Sequence, residues 1–138
     1  MPLRVFVDTS AWLACYDQND QHHASAAQIT EHIKTQRASL ILSDFILAES
    51  LTLIRYRLGH TWAVRFGRMV LESRLAELVD VDEPIRRHAW EIFQRYEDKD
   101  FSFTDCTSFA LMEHLNLKVA FAFDRHFEQY GLTLLKSA

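Results

Sequence analysis

Short apolar runs, each closed by an acidic or hydroxyl residue and followed by a helical stretch, recur along this chain and constrain its fold more than any other feature. Leu3–Val7 is β-rich and ends at Asp8-Thr9-Ser10, residues suited to capping a following helix. Leu40–Leu42 ends at Ser43-Asp44, and Leu78–Val81 ends at the proline-bearing helix entrance Asp82-Glu83-Pro84. Val119–Phe123 runs into Asp124, and Leu132–Leu135 is a last candidate strand. Several of these runs are continuously apolar rather than alternating, as strands covered on both faces are. Strands that alternate with helices in this way predict an α/β fold around a mainly parallel sheet. Ligands of such sheets bind beyond the carboxyl ends of the strands, near the point where strand order reverses.

The helical segments fit the same scheme. Asp44–Leu58 carries Leu47, Leu51, Ile54 and Leu58 at steps of 4, 3 and 4 and closes at Gly59, which predicts a helix with a glycine at its carboxyl end. Ala24–Gln36 has helical composition. Thr61 is expected to cap a segment running to about Arg74, with Trp62, Phe66 and Met69 on one stripe that could serve a dimer or the core. Ile85, Ala89, Ile92, Phe93 and Tyr96 supply the apolar face of the next helix, and Ser102 opens another that reaches about Leu115.

The chain has 138 residues, of which 49% are hydrophobic and 25% charged, with three Gly and two Pro; this predicts one globular domain over residues 1–138. The longest apolar runs, such as Ala11–Tyr16, fall far short of the roughly 20 residues that span a bilayer, so no membrane segment is expected. Asp8 stands where a signal peptide would need its apolar stretch, which points to the cytoplasm. Cys15 and Cys106 are far apart without a Cys-x-x-Cys, so neither a disulfide framework nor a structural zinc site is suggested. The net charge of -4 argues against gripping nucleic acid by bulk positive charge, although Arg55, Arg57, Arg65, Arg68 and Arg74 crowd the middle third.

The acidic residues carry the chemistry. Asp8 and Asp124 each follow a strand and would share the carboxyl edge of a parallel sheet, and the loop before Asp105 would approach that edge too. Each also has a plain structural reading: Asp8 and Asp124 as N-caps, Asp105 as the reciprocal member of a capping box begun by Ser102. Glu49 is surrounded at helical spacing by Phe45, Ile46, Thr52 and Leu53, with Tyr56 one turn on, so it is expected inside an apolar face. A carboxylate buried there needs a basic residue from elsewhere, a proton, or a cation. Gathered carboxylates without interleaved Lys repel one another unless a divalent ion neutralises them, and an all-oxygen set favours Mg2+ or Mn2+ over zinc. The seven histidines form no ligand motif and are read as surface or packing residues. A phospho-acceptor domain, the other acidic-pocket scaffold, would want a lysine near its last strand, and Lys136 comes too late.

Four segments together resemble the PIN-domain family and, within it, VapC-like ribonuclease toxins of toxin–antitoxin modules. They are Val7-Asp8-Thr9-Ser10, Leu47-Ala48-Glu49, the stretch Asp98 to Cys106 with Phe103-Thr104-Asp105, and Phe123-Asp124-Arg125-His126-Phe127. They span almost the whole chain in the family's order. The stretch before the last aspartate departs at Ala122, where relatives often place a hydroxyl residue. The resemblance implies a three-layer α/β/α sandwich and an acidic pocket of Asp8, Glu49, Asp105 and Asp124 holding Mg2+ or Mn2+. It also implies cleavage of single-stranded RNA to a 5'-phosphate and a 3'-hydroxyl, a cognate antitoxin protein as partner, and a homodimer. Arg125, His126, Arg55 and Arg57 are the candidate phosphate contacts, and Asp98 is assigned a loop role. The rival reading is a protein-binding module on the same scaffold, in which the acidic pocket is vestigial or receives an Arg from a partner protein.

Overall fold

The computed structural model describes residues 3–137. Its order is β1 (Arg4–Val7), α1 (Thr9–Tyr16), α2 (His23–Thr35), β2 (Ser39–Ser43), α3 (Asp44–Leu58), α4 (His60–Leu71), β3 (Ala76–Val79), α5 (Glu83–Arg95), α6 (Phe103–His114), β4 (Val119–Phe121), α7 (His126–Tyr130) and β5 (Thr133–Leu134). The five strands form one sheet in the order β3-β2-β1-β4-β5, and every neighbouring pair is parallel. Parallel strands need crossovers, and the right-handed rule puts α1–α4, which connect β1 through β3, on one face. The helices α5–α7, which serve β4 and β5, cover the other. The packing follows: α1 meets α2 and α3, and α3 meets α4, whereas α6 packs on α5 and α7. The expected α/β/α sandwich with its parallel sheet is what the chain adopts.

β1 lies at the centre because it is apolar enough to be covered twice. Val5, Phe6 and Val7 are all but inaccessible, and they pair with β2 through Val5↔Leu40 and with β4 through Val7↔Phe121. Phe6, Phe109 and Phe127 join the core on the α5–α7 side, while Trp12 packs edge-on to Phe66 at 5.2 Å on the other. Strand order reverses across β1 and β4, which makes the carboxyl ends of these two strands the switch point of the sheet. No helix among the described residues is long and apolar enough to cross a membrane.

The helix from Asp44 to Leu58 forms as its periodicity predicts, and Gly59 stops it with φ 101°, a conformation that disfavours any side chain. Three expectations shift. β3 begins at Ala76 rather than Leu78, because its register on β2 starts at Leu40↔Ala76. α4 begins at His60 with Gly59 as its cap, so Thr61 lies inside the first turn and caps nothing. Of the Trp62–Phe66–Met69 stripe, Phe66 is fully buried and Met69 half-buried, so the stripe belongs to the core; Trp62 stays 42% exposed beneath the Arg65 guanidinium.

The candidate metal centre

Asp8 sits directly after β1 and extends its pairing, donating its N–H to Phe121 O at 3.0 Å. It also caps α1: its Oδ2 accepts from Ser10 N–H at 3.1 Å and from the Ser10 hydroxyl at 2.7 Å. The Ser10 Oγ in turn accepts from Phe123 N–H at 3.0 Å. One serine therefore ties the end of β1 to the segment after β4 that carries Asp124. This contact supplies a hydroxyl to the stretch in which Ala122 has none.

Asp105 is 7% exposed in the first turn of α6 and forms the predicted capping box: it accepts from Ser102 N–H at 3.0 Å, and Ser102 Oγ accepts from Asp105 N–H at 2.9 Å. Asp124 is half-buried and accepts from His126 N–H at 2.9 Å, which folds the segment after β4 back toward α6. That turn delivers the His126 ring, whose Nδ1 lies 2.8 Å from Asp105 Oδ2 and 3.0 Å from Asp124 Oδ1. Carboxylate oxygens only accept, so in the ionised cluster Nδ1 carries the hydrogen. One ligand-capable atom from each of Asp105, Asp124 and His126 falls within 4.8 Å of the others.

The electrostatics match the geometry. Burial, the largest cause, pushes the Asp8 carboxyl up to about 7; the Ser10 hydrogen bonds pull the other way, and Asp105 and Asp124 push it further up. Asp105 is raised as well, first by burial and then by Asp124, against the pull of Ser102 N–H and His126. Among the described residues no Lys or Arg forms an ion pair with any of the three aspartates. Three neighbouring acids with no paired Lys or Arg among the described residues are an oxygen donor set suited to Mg2+ or Mn2+; Asp8 feels the charge of Asp105 and Asp124, though it lies outside the group of atoms within 4.8 Å. The plain capping readings of Asp8 and Asp105 are also correct, so each residue holds a helix end with the same group it offers to an ion.

The remaining expected residues fall elsewhere. Glu49 is half-buried, not enclosed as its apolar neighbours imply. It lines an open cleft of about 600 Å3 between α3 and the start of α6, with Phe45, Ala48, Thr52, Leu53 and Thr104. The outward stripe of α3 has no helix above it, which is why Tyr56 is 88% exposed. Glu49 makes no hydrogen bond or ion pair among the described residues, and Thr104 brings its cleft to the residue beside Asp105. Arg57 pairs with Asp20 at 3.6 Å, and Arg55 is exposed beside the α4 groove with Arg68 and Glu72, so neither reaches the acids. Arg125 is exposed next to Asp124, in a groove with His22 and Lys136. The His126 Nδ1 is taken by the acids, which leaves its Nε2 as the ring nitrogen open to a phosphate. The two-residue spacing from Asp124 is the signal for that turn, since an Asx turn bonds the N–H two positions on. Ser10 was legible only as a cap-region hydroxyl, not as the bridge to Phe123.

The PIN-domain family model matches residues 5–132. The chain belongs to the PIN-domain family. Among its PIN-domain relatives, the 23S rRNA-specific endonuclease VapC20 of Mycobacterium tuberculosis is 32% identical over 127 residues, covering 92% of this chain and 94% of VapC20. The VapC ribonuclease of Archaeoglobus fulgidus is 30% identical over 119 residues, 85% of this chain and 75% of its own. The crystal structure of the VapC20 protein, described as a sarcin–ricin loop cleaving toxin, matches with a TM-score of 0.86 at 29% identity over 96% of this chain and 98% of that one. The expected family and the expected class of activity, a ribonuclease of the toxin kind, are borne out.

Proposed function

We propose that this PIN-domain protein is an Mg2+- or Mn2+-dependent endoribonuclease, the toxin of a toxin–antitoxin pair, that hydrolyses phosphodiester bonds in single-stranded RNA. The observation that carries the metal dependence is the nearness of Asp8, Asp105 and Asp124, with Asp8 raised to about 7 by burial and by the other two, and with no Lys or Arg paired to them among the described residues. The VapC20 relative is named for cleaving an rRNA loop, and an exposed loop of that kind is the substrate proposed here. A cognate antitoxin and a second copy of the chain are the protein partners in this reading.

The ion would be held by Asp8, Asp105 and Asp124, with Glu49 at the open mouth as a further ligand or a proton acceptor. When bound, it supplies Lewis acidity and neutralises charge at the phosphodiester. Ser10 holds one Asp8 oxygen and Ser102 and His126 hold one Asp105 oxygen, so the cluster is oriented before any substrate arrives. Glu49 Oε takes the proton of the attacking water. The water oxygen bonds to phosphorus, the bond to the 3' oxygen breaks, and that oxygen takes a proton from solvent, so the products are a 5'-phosphate and a 3'-hydroxyl. Arg125, exposed beside Asp124, contacts the neighbouring phosphate.

The test is cleavage of a single-stranded RNA in Mg2+ by the wild type and by Asp105→Asn, alongside circular dichroism. Loss of cleavage with an unchanged fold, and loss on chelation, is the expected result. Undiminished cleavage in chelator, or full activity in the variant, overturns the proposal; ion binding without cleavage after removal of any bound partner would instead favour the binding-module reading.

A further inference from the structure

α3 buries the stripe Ile46, Ser50 and Ile54, a hydroxyl between two branched hydrocarbons, and it packs on α1. Ser50 Oγ–H donates to Thr9 Oγ1 of α1 at 3.2 Å, and both residues are buried. Among the described residues no other side-chain hydrogen bond joins these two helices. Neither hydroxyl is spent on its own helix. Asp8, not Thr9, caps α1. A serine or threonine inside a helix often bonds the carbonyl four residues back, as Thr52 does with Ala48 O at 2.9 Å, but Ser50 reaches across to α1 instead.

The stability of the fold does not call for this pair. Replacing both partners of a buried hydrogen bond by apolar groups of the same shape is close to neutral. What the pair has and a hydrocarbon contact lacks is direction: apolar surfaces slide over one another, whereas a hydrogen bond holds its two atoms to a set distance and angle. Each hydroxyl also stands one residue from an acid. Thr9 follows Asp8, whose N–H is tied to Phe121 O at 3.0 Å, and Ser50 follows Glu49. Successive residues of an α-helix are turned by about 100° and rise by about 1.5 Å. Fixing Ser50 on α1 therefore sets both the rotation of α3 about its axis and its height relative to Asp8, and with them the direction in which Glu49 leaves the helix.

We infer that Thr9 and Ser50 are positioning residues for the reaction: their hydroxyl pair fixes the backbone of Glu49 relative to Asp8, while the Glu49 carboxylate itself stays unbonded. This rests on the ribonuclease reading above and adds to it how the acid of α3 is held in register with the aspartates. A buried polar pair that is fully satisfied selects one packing among the several that an apolar stripe would accept.

The test compares Thr9→Val, Ser50→Ala, the two combined, and Thr9→Ser, each assayed for kcat and KM on single-stranded RNA in Mg2+ and for metal-free Tm. Thr9→Val and Ser50→Ala each strand a buried hydroxyl, so both are expected to lower Tm and to lower kcat about tenfold with KM unchanged. The combined variant is expected to regain most of the Tm and none of the kcat, and Thr9→Ser, which keeps the hydroxyl, to cleave within about twofold of wild type. In a Glu49→Gln background the combined change should remove nothing further, because its effect passes through Glu49. Recovery of kcat together with Tm in the combined variant shows a purely structural pair and overturns the inference, as does a full additional loss beside Glu49→Gln. Failure of the wild type to cleave overturns the ribonuclease reading alone, and the pair is then judged by NMR of the Glu49 carboxyl with bound Mn2+. Broadening of that resonance in the wild type that is lost in the combined variant upholds the pair; equal broadening in both, or none in either, overturns it.

Discussion

The candidate site has two walls, one of acids that the fold itself uses and one of an acid that it does not. Asp8 and Asp105 close helix ends, Asp124 closes a turn, and each has at least one oxygen fixed by a hydrogen bond. Glu49 lies in an open cleft that Thr104 also lines, with no bonded partner among the described residues. The first wall is oriented by folding and bears the cost of confining like charges; the second is free to move and bears none. Acids that also close helix ends and turns are precisely placed at the expense of metal-free stability, whereas an unattached carboxylate can follow a proton or a water.

Breaking the first wall gives the largest effect. Asp8→Asn and Asp105→Asn should each lower RNA cleavage by on the order of a thousandfold or more, measured as kcat/KM in Mg2+. The same Asp8 change should stabilise the metal-free protein. Asp8 titrates near 7 when folded against an ordinary 3.8, so its ionised form is disfavoured by the fold. Metal-free stability therefore falls as pH rises from about 4 through 7 and stays lower above. Asp8→Asn should remove that slope and gain a few kcal/mol at pH 8 in urea unfolding, with no gain below pH 4. Added Mg2+ should restore the wild type and leave the variant little changed; a flat wild-type profile without metal would break the comparison.

The second wall should behave otherwise. Glu49→Gln is expected to slow cleavage on the order of a hundredfold while leaving the metal-free Tm and its pH profile unmoved. Sharper still is Ser10→Ala, which keeps every acid but removes the hydroxyl between Asp8 and Phe123. It should weaken metal affinity about tenfold by calorimetric titration and cost about 1 kcal/mol of stability. The smallest effect belongs to Arg57→Ala, whose exposed pair with Asp20 should be worth less than about 1 kcal/mol and change cleavage little.

The same contrast governs what could be read from the residues alone. The three aspartates announce themselves because caps and turns are local: Asp8 before Ser10, Ser102 three before Asp105, Asp124 two before His126. Parallel order then carries Asp8 and Asp124 to one edge. Glu49 was placed correctly on α3 and wrongly inside an apolar face, because exposure depends on which helix lies above a stripe, and α3 spacing says nothing of that. β3 and the start of α4 moved for a similar reason: the Leu40↔Ala76 register and the positive φ of Gly59 are settled by neighbours and backbone, not by composition. Arg57 pairs with Asp20 of the loop before α2 and Arg55 lies exposed in the groove beside α4, placements that the spacing on α3 does not show.

The central strand is almost the first segment of the chain, and the strand beside it at the switch point, paired through Phe6↔Ala120, is almost the last. Such distant contacts are slow to form because a long loop must close before they reward it. Asp8 consequently waits for more than 110 further residues to be synthesised and threaded into place before Asp105 and Asp124 can join it. Before that contact forms Asp8 is only a helix cap, so the gathering of the three aspartates is among the last things this molecule acquires on folding.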